Sequence, residues 1–187
     1  MKLALILIDM QKYFLNLNPI LFQEKLLPNI QKALSAARLS KISIIHVVTR
    51  YHQDKSDWPA PYKHSDSIWC IEGTEDAEIL EAVKPLDSER VVVKTRFSGF
   101  YKTDLEDILV ENGIEGLVIA GYASDACIRM TVVDAYNRDY IIYLIADCVH
   151  AFREDTEGSI QYLQWLTKLT VISMEEMNSM LQNTSAQ

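Results

Sequence analysis

Short apolar runs recur along the chain, and most are followed by a stretch whose apolar positions repeat at helical spacing. The runs show little polar alternation, which is typical of strands buried on both faces of a parallel sheet. They begin at residues 3, 43, 90, 116, 140 and 169 and read LALILI, SIIHVVT, RVVVK, GLVIAG, YIIYLIAD and LTVIS. We therefore expect a mostly parallel sheet of about six strands.

The segments between these runs carry apolar residues three and four apart, which predicts amphipathic helices. They read PILFQEKLLPNIQKALSAARL, EDAEILEAV, KTDLEDILVENG, DACIRMTVVDAYNRD, EDTEGSIQYLQWLTK and MEEMNSML. Strands that alternate with helices are joined by right-handed crossovers, so the pattern predicts a doubly wound α/β layer in a single domain, 1–187. A long loop is expected over 51–74, and the tail 182–187 is expected to fray.

Composition excludes several classes of protein. The net charge of −8, with no basic patch, disfavours nucleic acid as a partner. The apolar runs are too short to cross a membrane, and the first one stops at Asp9 without the small-residue cleavage site of a signal peptide. Three cysteines without a close pair do not form a disulfide framework, so we expect a reducing cytoplasm. No G-x-G-x-x-G follows the first strand, so no dinucleotide cofactor is expected.

The strand ends deliver three chemically distinct groups. In an open parallel sheet, ligands bind outside the carboxyl ends of the strands. Asp9 follows the first strand, Lys94 ends the third, and Cys127 comes at the corner after the fourth. If these strands are neighbours, a carboxylate, an ammonium and a thiol emerge at one edge of the sheet.

The position of Cys127 favours a nucleophile. Ser124 or Asp125 could cap the following helix and place the sulfur in its first turn, where the helix dipole favours an anion. A thiol there is expected to have a lowered pKa, and Lys94 would favour the thiolate further. Asp9 could take the thiol proton and later pass it to a leaving amine. The free N–H groups of the first helical turn could receive an oxyanion.

Each of these residues also has an ordinary structural interpretation. A single cysteine in a helix is commonly a small buried apolar residue, and an aspartate after a strand is commonly a turn residue. A lysine at a strand end can simply reach solvent. Their joint appearance at three strand ends is what favours a thiol-hydrolase site.

Five segments in order then resemble the isochorismatase-like cysteine hydrolases. They read LILIDMQKYF, GTEDAEI, VVVKTRFSGFYKTDLEDIL, GIEGLVIAGYASDACIRMTVVDAYNRDY and IADCV, between about residues 3 and 150. The resemblance implies a Rossmann-like three-layer sandwich with an Asp–Lys–Cys triad at Asp9, Lys94 and Cys127. It also implies a cis peptide at Tyr122–Ala123 and an oxyanion hole formed by the Ala123 and Cys127 N–H groups.

The resemblance also bears on metal binding and on the reaction. Vinyl-ether hydrolases of the family often lack the cysteine, so Cys127 places this chain with the amidases. Nicotinamidases are similar at the corner but bind a metal through an Asp-Trp-His run, where this chain has Pro59 in place of the histidine. His52, Asp54 and His64 lie in the same loop and could substitute. We nevertheless expect no metal, with loop histidines exposed to solvent as the simpler interpretation.

Several side chains are candidates for the pocket. The segment KTRFSGFYKTDLE resembles the branch that includes ureidoacrylate hydrolases, so Arg96, Phe97 and Phe100 could contact substrate, with core packing or a surface charge as the alternative. Arg50 could grip a substrate carboxylate or lie in solvent. The further aromatic candidates for the pocket wall are Tyr13, Phe14, Trp58 and Trp69.

The sequence thus predicts a metal-independent, cofactor-free cysteine hydrolase that cleaves a small non-peptide amide or carbamoyl compound through a thioester. Relatives commonly form dimers or tetramers, so a homo-oligomer is expected. Three alternatives stay open: a metal-assisted nicotinamidase, a vinyl-ether hydrolase, and a non-catalytic thiol sensor or binding scaffold.

Overall fold

The sheet has six strands, and every neighbouring pair is parallel. The structure is a computed structural model that describes residues 1–153 and 155–184. The strand order is β3-β2-β1-β4-β5-β6, which confirms the predicted parallel α/β architecture. The strands are β1 Leu3–Ile8, β2 Ser43–Thr49, β3 Arg90–Lys94, β4 Gly116–Tyr122, β5 Ile141–His150 and β6 Thr170–Ile172.

Helices cover both faces of this sheet. They are α1 Lys12–Leu17, α2 Pro19–Leu21, a π-helical turn Phe22–Leu26, α3 Leu27–Leu39, α4 Leu105–Glu111, α5 Cys127–Tyr136, α6 Thr156–Thr167 and α7 Met174–Thr184. Alternate residues of β1 point to opposite faces. Leu5 belongs to an apolar cluster with α3 and α7, and Ile6 to a second cluster with α4, α5 and α6. In the described part of the chain, no helix is long and apolar enough to cross a membrane.

Two predicted elements differ from the structure. The segment predicted as a helix over 75–83 forms two short 3-10 turns, Glu75–Ala77 and Glu81–Val83. Between them Ile79 bridges Gln11, and the Leu80 N–H donates to the Met10 carbonyl, so pairing with the chain after β1 keeps this part extended. At the carboxyl end, α7 runs into the tail that was expected to fray, and 185–187 lie outside the described residues.

A glycine allows β4 to approach β1 closely beside the site. Gly121 has a φ of +127°, which L side chains rarely adopt. A Cβ atom there would lie 2.1 Å from the Ile8 carbonyl oxygen, which is backbone and cannot move aside. Gly121 therefore brings the end of β4 against the end of β1, immediately before Asp9.

A buried His46–Glu89–Arg38 cluster makes stability depend on pH. His46 Nε2 lies 2.8 Å from Glu89 Oε2, and Arg38 Nε donates to Glu89 Oε1 at 2.6 Å. Burial lowers the pKa of His46, although Glu89 opposes this shift. Burial alone would raise the pKa of Glu89, but its hydrogen bonds with Arg38 and His46 prevail and lower it. Both groups therefore resist protonation in the folded protein more than in the unfolded chain.

We expect the urea midpoint of the protein to fall as pH drops below about 6.5, where the unfolded histidine takes up its proton, and to fall further in the range where carboxyl groups titrate. Equilibrium unfolding between pH 8 and about 3 measures both parts of this effect. His46→Gln should flatten the upper part of the dependence, while His64→Gln, at an exposed loop position, should leave it unchanged. Equal pH dependence in His46→Gln and the parent would contradict the assignment.

Candidate active site

The three predicted catalytic residues meet at the carboxyl edge of the sheet. Asp9 follows β1, Lys94 ends β3, and Cys127 begins α5. The Lys94 Nζ atom lies 2.9 Å from Asp9 Oδ2 and 3.3 Å from Cys127 Sγ. All three residues are buried, with exposed fractions of 0%, 1% and 7% in chain order. One ammonium therefore contacts both the carboxylate and the sulfur.

Thr49 completes the polar cluster and was not identified from the sequence. Its hydroxyl donates to Asp9 Oδ1 at 2.9 Å and accepts from Lys94 Nζ at 2.8 Å. Asp9 has a φ of +54°, an uncommon conformation for a residue with a side chain, and its N–H donates to the Val47 carbonyl. Asp9 Oδ2 forms the ion pair with Lys94, and among the described residues no further hydrogen bond to this oxygen is found. This oxygen is therefore the one available to receive a proton.

Gln11 holds the backbone of Thr49 in place through two hydrogen bonds. Its side chain is fully buried, donates to the carbonyls of Thr49 and Ala77 at 2.8 and 3.0 Å, and accepts from the Thr49 N–H at 2.8 Å. The sequence places Gln11 two residues after Asp9, but only the fold shows what it contacts. Gln11 is thus a positioning residue for Thr49.

Gln11→Leu should lower the free energy of unfolding by about 1–3 kcal/mol, because it leaves the buried Thr49 N–H without an acceptor. We also expect a larger fall in kcat than rise in KM, since the loss loosens the polar cluster rather than the cavity wall. Gln31→Leu is the matched control, because Gln31 is exposed and its side chain donates a single long hydrogen bond within the described residues, to the Ala82 carbonyl at 3.3 Å. Equal losses of stability in the two variants would contradict the role given to Gln11.

The prediction of a lowered thiol pKa is wrong. Burial raises the pKa of Cys127, the negative charge of Asp9 raises it further, and Lys94 only partly opposes these effects. For Lys94, burial disfavours the ammonium, but the negative charge of Asp9 outweighs burial and raises its pKa. The buried cluster is neutral when the sulfur keeps its proton and would hold an excess negative charge otherwise. Its resting form is therefore carboxylate, ammonium and thiol.

The corner between β4 and α5 is built differently from the sequence prediction. Ala126 is the N-cap of α5, and no side chain caps it, so neither Ser124 nor Asp125 has the predicted role. Asp125 instead accepts hydrogen bonds from the N–H groups of Phe152 and Arg153, at 2.7 and 2.8 Å. These bonds connect the corner to the loop after β5.

The backbone at this corner presents donors beside the sulfur. The peptide bond between Tyr122 and Ala123 is cis. Ile128 N–H donates to the Ala123 carbonyl, whereas the hydrogen bonds found among the described residues leave the N–H groups of Ala123 and Cys127 without an acceptor. Ala123 and Cys127 both line a cavity at this edge of the sheet. Two backbone donors are therefore available next to the thiol.

A cavity of about 360 Å³ opens onto Cys127. This volume suits a small molecule. Its wall is largely aromatic: Trp69 stacks on Tyr13 at a centroid distance of 5.9 Å and meets Tyr62 edge to face at 5.0 Å. The polar and aromatic lining residues are Tyr13, Phe14, Thr49, Tyr51, Tyr62, Trp69, Lys94, Arg96, Phe97, Tyr122, Cys127, Phe152 and Arg153.

Most of the predicted pocket residues do line this cavity, but some do not. Phe14, Arg96 and Phe97 are in its wall, together with Tyr13 and Trp69. Three of the predicted residues do not line the cavity: Phe100, Trp58 and Arg50.

The residues outside the cavity have structural roles. Phe100 is buried in the cluster under α4 and α5, with the Arg138 guanidinium over its ring at 4.8 Å, so it is core rather than pocket. Trp58 is buried, and its indole donates to the His52 carbonyl at 2.7 Å. Tyr51, which also lines the cavity, was not identified from the sequence, because its position depends on how the long loop folds.

The loop residues considered as metal ligands do not converge. His52 Nδ1 lies 3.3 Å from a carboxylate oxygen of Glu72, and its Nε2 lies 3.9 Å from one of Asp57. Asp54 caps its own turn by accepting the Ser56 N–H, and His64 is exposed. Within residues 1–153 and 155–184, no group of three or more His, Cys, Asp and Glu side chains is placed to hold a metal ion. The described loop side chains therefore do not form the substitute metal site that was considered from the sequence.

The parallel six-stranded sheet, covered by helices on both faces, defines a three-layer α/β protein with a buried Asp–Lys–Cys cluster at one edge. The sequence matches the Isochorismatase domain family over residues 3–176. The chain therefore belongs to the isochorismatase family of hydrolases.

Three similar proteins show the range of this family. A probable inactive nicotinamidase of Arabidopsis thaliana is 33% identical over 145 residues, which cover 73% of this chain and 74% of that protein. The ureidoacrylate amidohydrolase RutB of Rhizobium rhizogenes is 27% identical over 143 residues, 68% of this chain and 58% of that protein, so the match spans less than two thirds of its length. The crystal structure of N-carbamoylsarcosine amidase from Thermoplasma acidophilum superposes with a TM-score of 0.77, at 26% identity over 93% of this chain and 97% of that one.

Proposed function

We propose that this protein is a cysteine hydrolase that cleaves the C–N bond of a small non-peptide amide or carbamoyl compound through a thioester intermediate. The observation that carries the proposal is the contact of one buried ammonium with both a carboxylate and a thiol, at the floor of a ligand-sized cavity. Cys127 is the nucleophile, Asp9 the acid–base group, and Lys94 the fixed countercharge.

The first step forms the bond from sulfur to carbon. The Cys127 thiol passes its proton to Asp9 Oδ2 as Sγ attacks the substrate carbonyl, so a free thiolate need not accumulate. Lys94 balances the charge on sulfur during transfer. The carbonyl oxygen becomes an oxyanion, for which the N–H groups of Ala123 and Cys127 are the available donors.

The second step breaks the C–N bond and frees the enzyme. Asp9 returns its proton to the leaving nitrogen, and ammonia or an amine departs while the acyl group remains on Cys127. Asp9, again a carboxylate, takes a proton from water as the water oxygen attacks the thioester. The acid product leaves, and the thiol regains its proton from Asp9.

The names of two relatives favour an amide or carbamoyl substrate, since ureidoacrylate amidohydrolase and N-carbamoylsarcosine amidase are both named for C–N cleavage. The nicotinamidase alternative has less support, because the loop side chains do not form the metal site that nicotinamidases use. A homo-oligomer, dimer or tetramer, remains part of the proposal, and sedimentation analysis measures it.

The proposed function is tested by ammonia release from a panel of primary amides and carbamoyl compounds, with and without a metal chelator. We expect turnover of at least one member, unchanged by chelation. Turnover that chelation abolishes would favour the nicotinamidase alternative. Reaction of Cys127 with iodoacetamide but no turnover across the panel would favour a thiol sensor or binding scaffold.

A further inference from the structure

Arg96 lines the cavity, and one edge of its guanidinium is not used by hydrogen bonds within the described part of the chain. Its Nη1 atom donates to the Asp57 carbonyl at 2.9 Å and to the Thr95 carbonyl at 2.5 Å. Among the described residues, no group accepts from Nε or Nη2, and no carboxylate forms an ion pair with this guanidinium. The side chain is half-buried. Three N–H donors of a charged, partly desolvated group thus remain for a ligand.

The carbonyl that orients Arg96 lies on a well-anchored turn. The Asp57 carboxylate accepts the His52 N–H at 3.0 Å, and the next residue, Trp58, is buried and donates to the His52 carbonyl. Lys55 covers the Trp58 ring, with its ammonium 5.1 Å from the centroid. Because the turn is fixed, the position of Arg96 in the wall is also fixed, which lowers the cost of binding.

Tyr51 provides a second donor to the same space. Its ring is buried, it lines the cavity, and none of the described residues forms a hydrogen bond with its hydroxyl. Burial raises the pKa of Tyr51 to about 12, against the lowering influence of Lys94 and Arg96 nearby. The hydroxyl therefore keeps its proton and can donate it to an acceptor.

The charges of the wall favour an anion. The ionisable lining residues of positive charge are Lys94, Arg96 and Arg153, and no Asp or Glu is among the described residues that line the cavity. Lys94 is already balanced by Asp9, but Arg96 is not balanced. A chain with a net charge of −8 thus presents a cationic cavity. A guanidinium whose two nitrogens Nε and Nη2 are free matches the fork of a carboxylate.

We propose that Arg96, assisted by Tyr51, binds a carboxylate, so that the substrate is an amide or carbamoyl compound bearing a carboxylate group. The sequence pointed to Arg50 for such a role, but Arg50 lies outside the cavity. The assignment of Arg96 as a specificity-determining residue rests on the proposed function of the same site. A neutral amide of equal size would leave the Arg96 donors unpaired.

Probes matched in size test this assignment: succinamate against 4-methylpentanamide, and N-carbamoyl-β-alanine against 3-methylbutylurea. We expect wild-type kcat/KM to favour the anionic member of each pair by roughly 10- to 100-fold. Arg96→Gln should remove this preference, Arg96→Lys should restore part of it, and Tyr51→Phe should reduce it. The matched control is Arg50→Gln, which removes an equal charge outside the cavity and should retain the full preference. Thermal unfolding confirms that each variant is folded.

A second readout does not require turnover: protection of Cys127 from iodoacetamide by each probe and by inorganic phosphate. In one outcome, the carboxylates protect Cys127 in the parent but not in Arg96→Gln, while no probe is hydrolysed. That result would support the carboxylate subsite and overturn the proposed hydrolase. Hydrolysis with equal kcat/KM for charged and neutral members would overturn the subsite while the hydrolase stands. The subsite is also overturned if phosphate protects better than the carboxylates, if no carboxylate protects, or if Arg96→Gln keeps the preference.

Discussion

Replacing Cys127 with alanine should reduce kcat for amide hydrolysis by at least about 10⁴-fold, because the proposed acyl intermediate is a thioester of the Cys127 sulfur. The fold should survive, since the change removes one sulfur atom from a residue at the cavity surface. Steady-state ammonia release, with thermal unfolding in parallel, measures both effects.

Cys148→Ala is the matched control for this variant. Cys148 is also buried, but it lies in the cluster under α3 and α7, beside Met174 and away from the cavity. Removing its sulfur should cost some stability and leave kcat close to the parent value. Substantial amide turnover by Cys127→Ala would contradict the role of Cys127 as the nucleophile.

Asp9→Asn should separate the reactivity of Cys127 from catalysis. Hydrolysis should fall by about 10²–10⁴-fold, because the amide cannot accept the thiol proton or deliver it to the leaving nitrogen. Alkylation of Cys127 by iodoacetamide at pH 8 should nevertheless become faster. The charge of Asp9 helps raise the pKa of Cys127, and once it is removed, a thiolate is the anion that balances the buried Lys94.

Lys94→Met should change the reactivity of Cys127 in the opposite direction. It removes the charge that lowers the pKa of Cys127, so alkylation should slow and require higher pH, and hydrolysis should also be lost. The variant should lose about 3–5 kcal/mol of stability, because Asp9 stays buried without its partner. Slower alkylation in Asp9→Asn than in the parent would contradict the neutral resting form of the cluster.

Much of the fold could be predicted, because the central strands β1, β2 and β4 are buried on both faces and therefore appear as nearly unbroken apolar runs. The segment 75–83 could not, since its apolar spacing fits a helix while its backbone pairs with the chain after β1 at Ile79. Long-range pairing of this kind leaves no local signal and overrides helical propensity.

The sequence predicted which residues form the site, but not their burial, their hydrogen bonds or the direction of their pKa shifts. Asp9, Lys94 and Cys127 were identified because parallel strands deliver their carboxyl ends to one edge. The direction of the Cys127 pKa shift was predicted wrongly. Burial and the proximity of Asp9 are tertiary properties, and they outweigh the effect of the helix N-terminus. Thr49 looked like an ordinary strand residue, and Tyr51 lies in the loop that no periodicity resolves.

The central claim is that the acyl group of the substrate passes through the sulfur of Cys127. It is tested most directly by rapid quenching of a turning-over amide, with hydroxylamine as a competing nucleophile and mass spectrometry of the Cys127 peptide. The account predicts an acyl adduct on that peptide and a hydroxamate product whose share rises with hydroxylamine concentration. Ammonia release with neither the adduct nor the hydroxamate would contradict it.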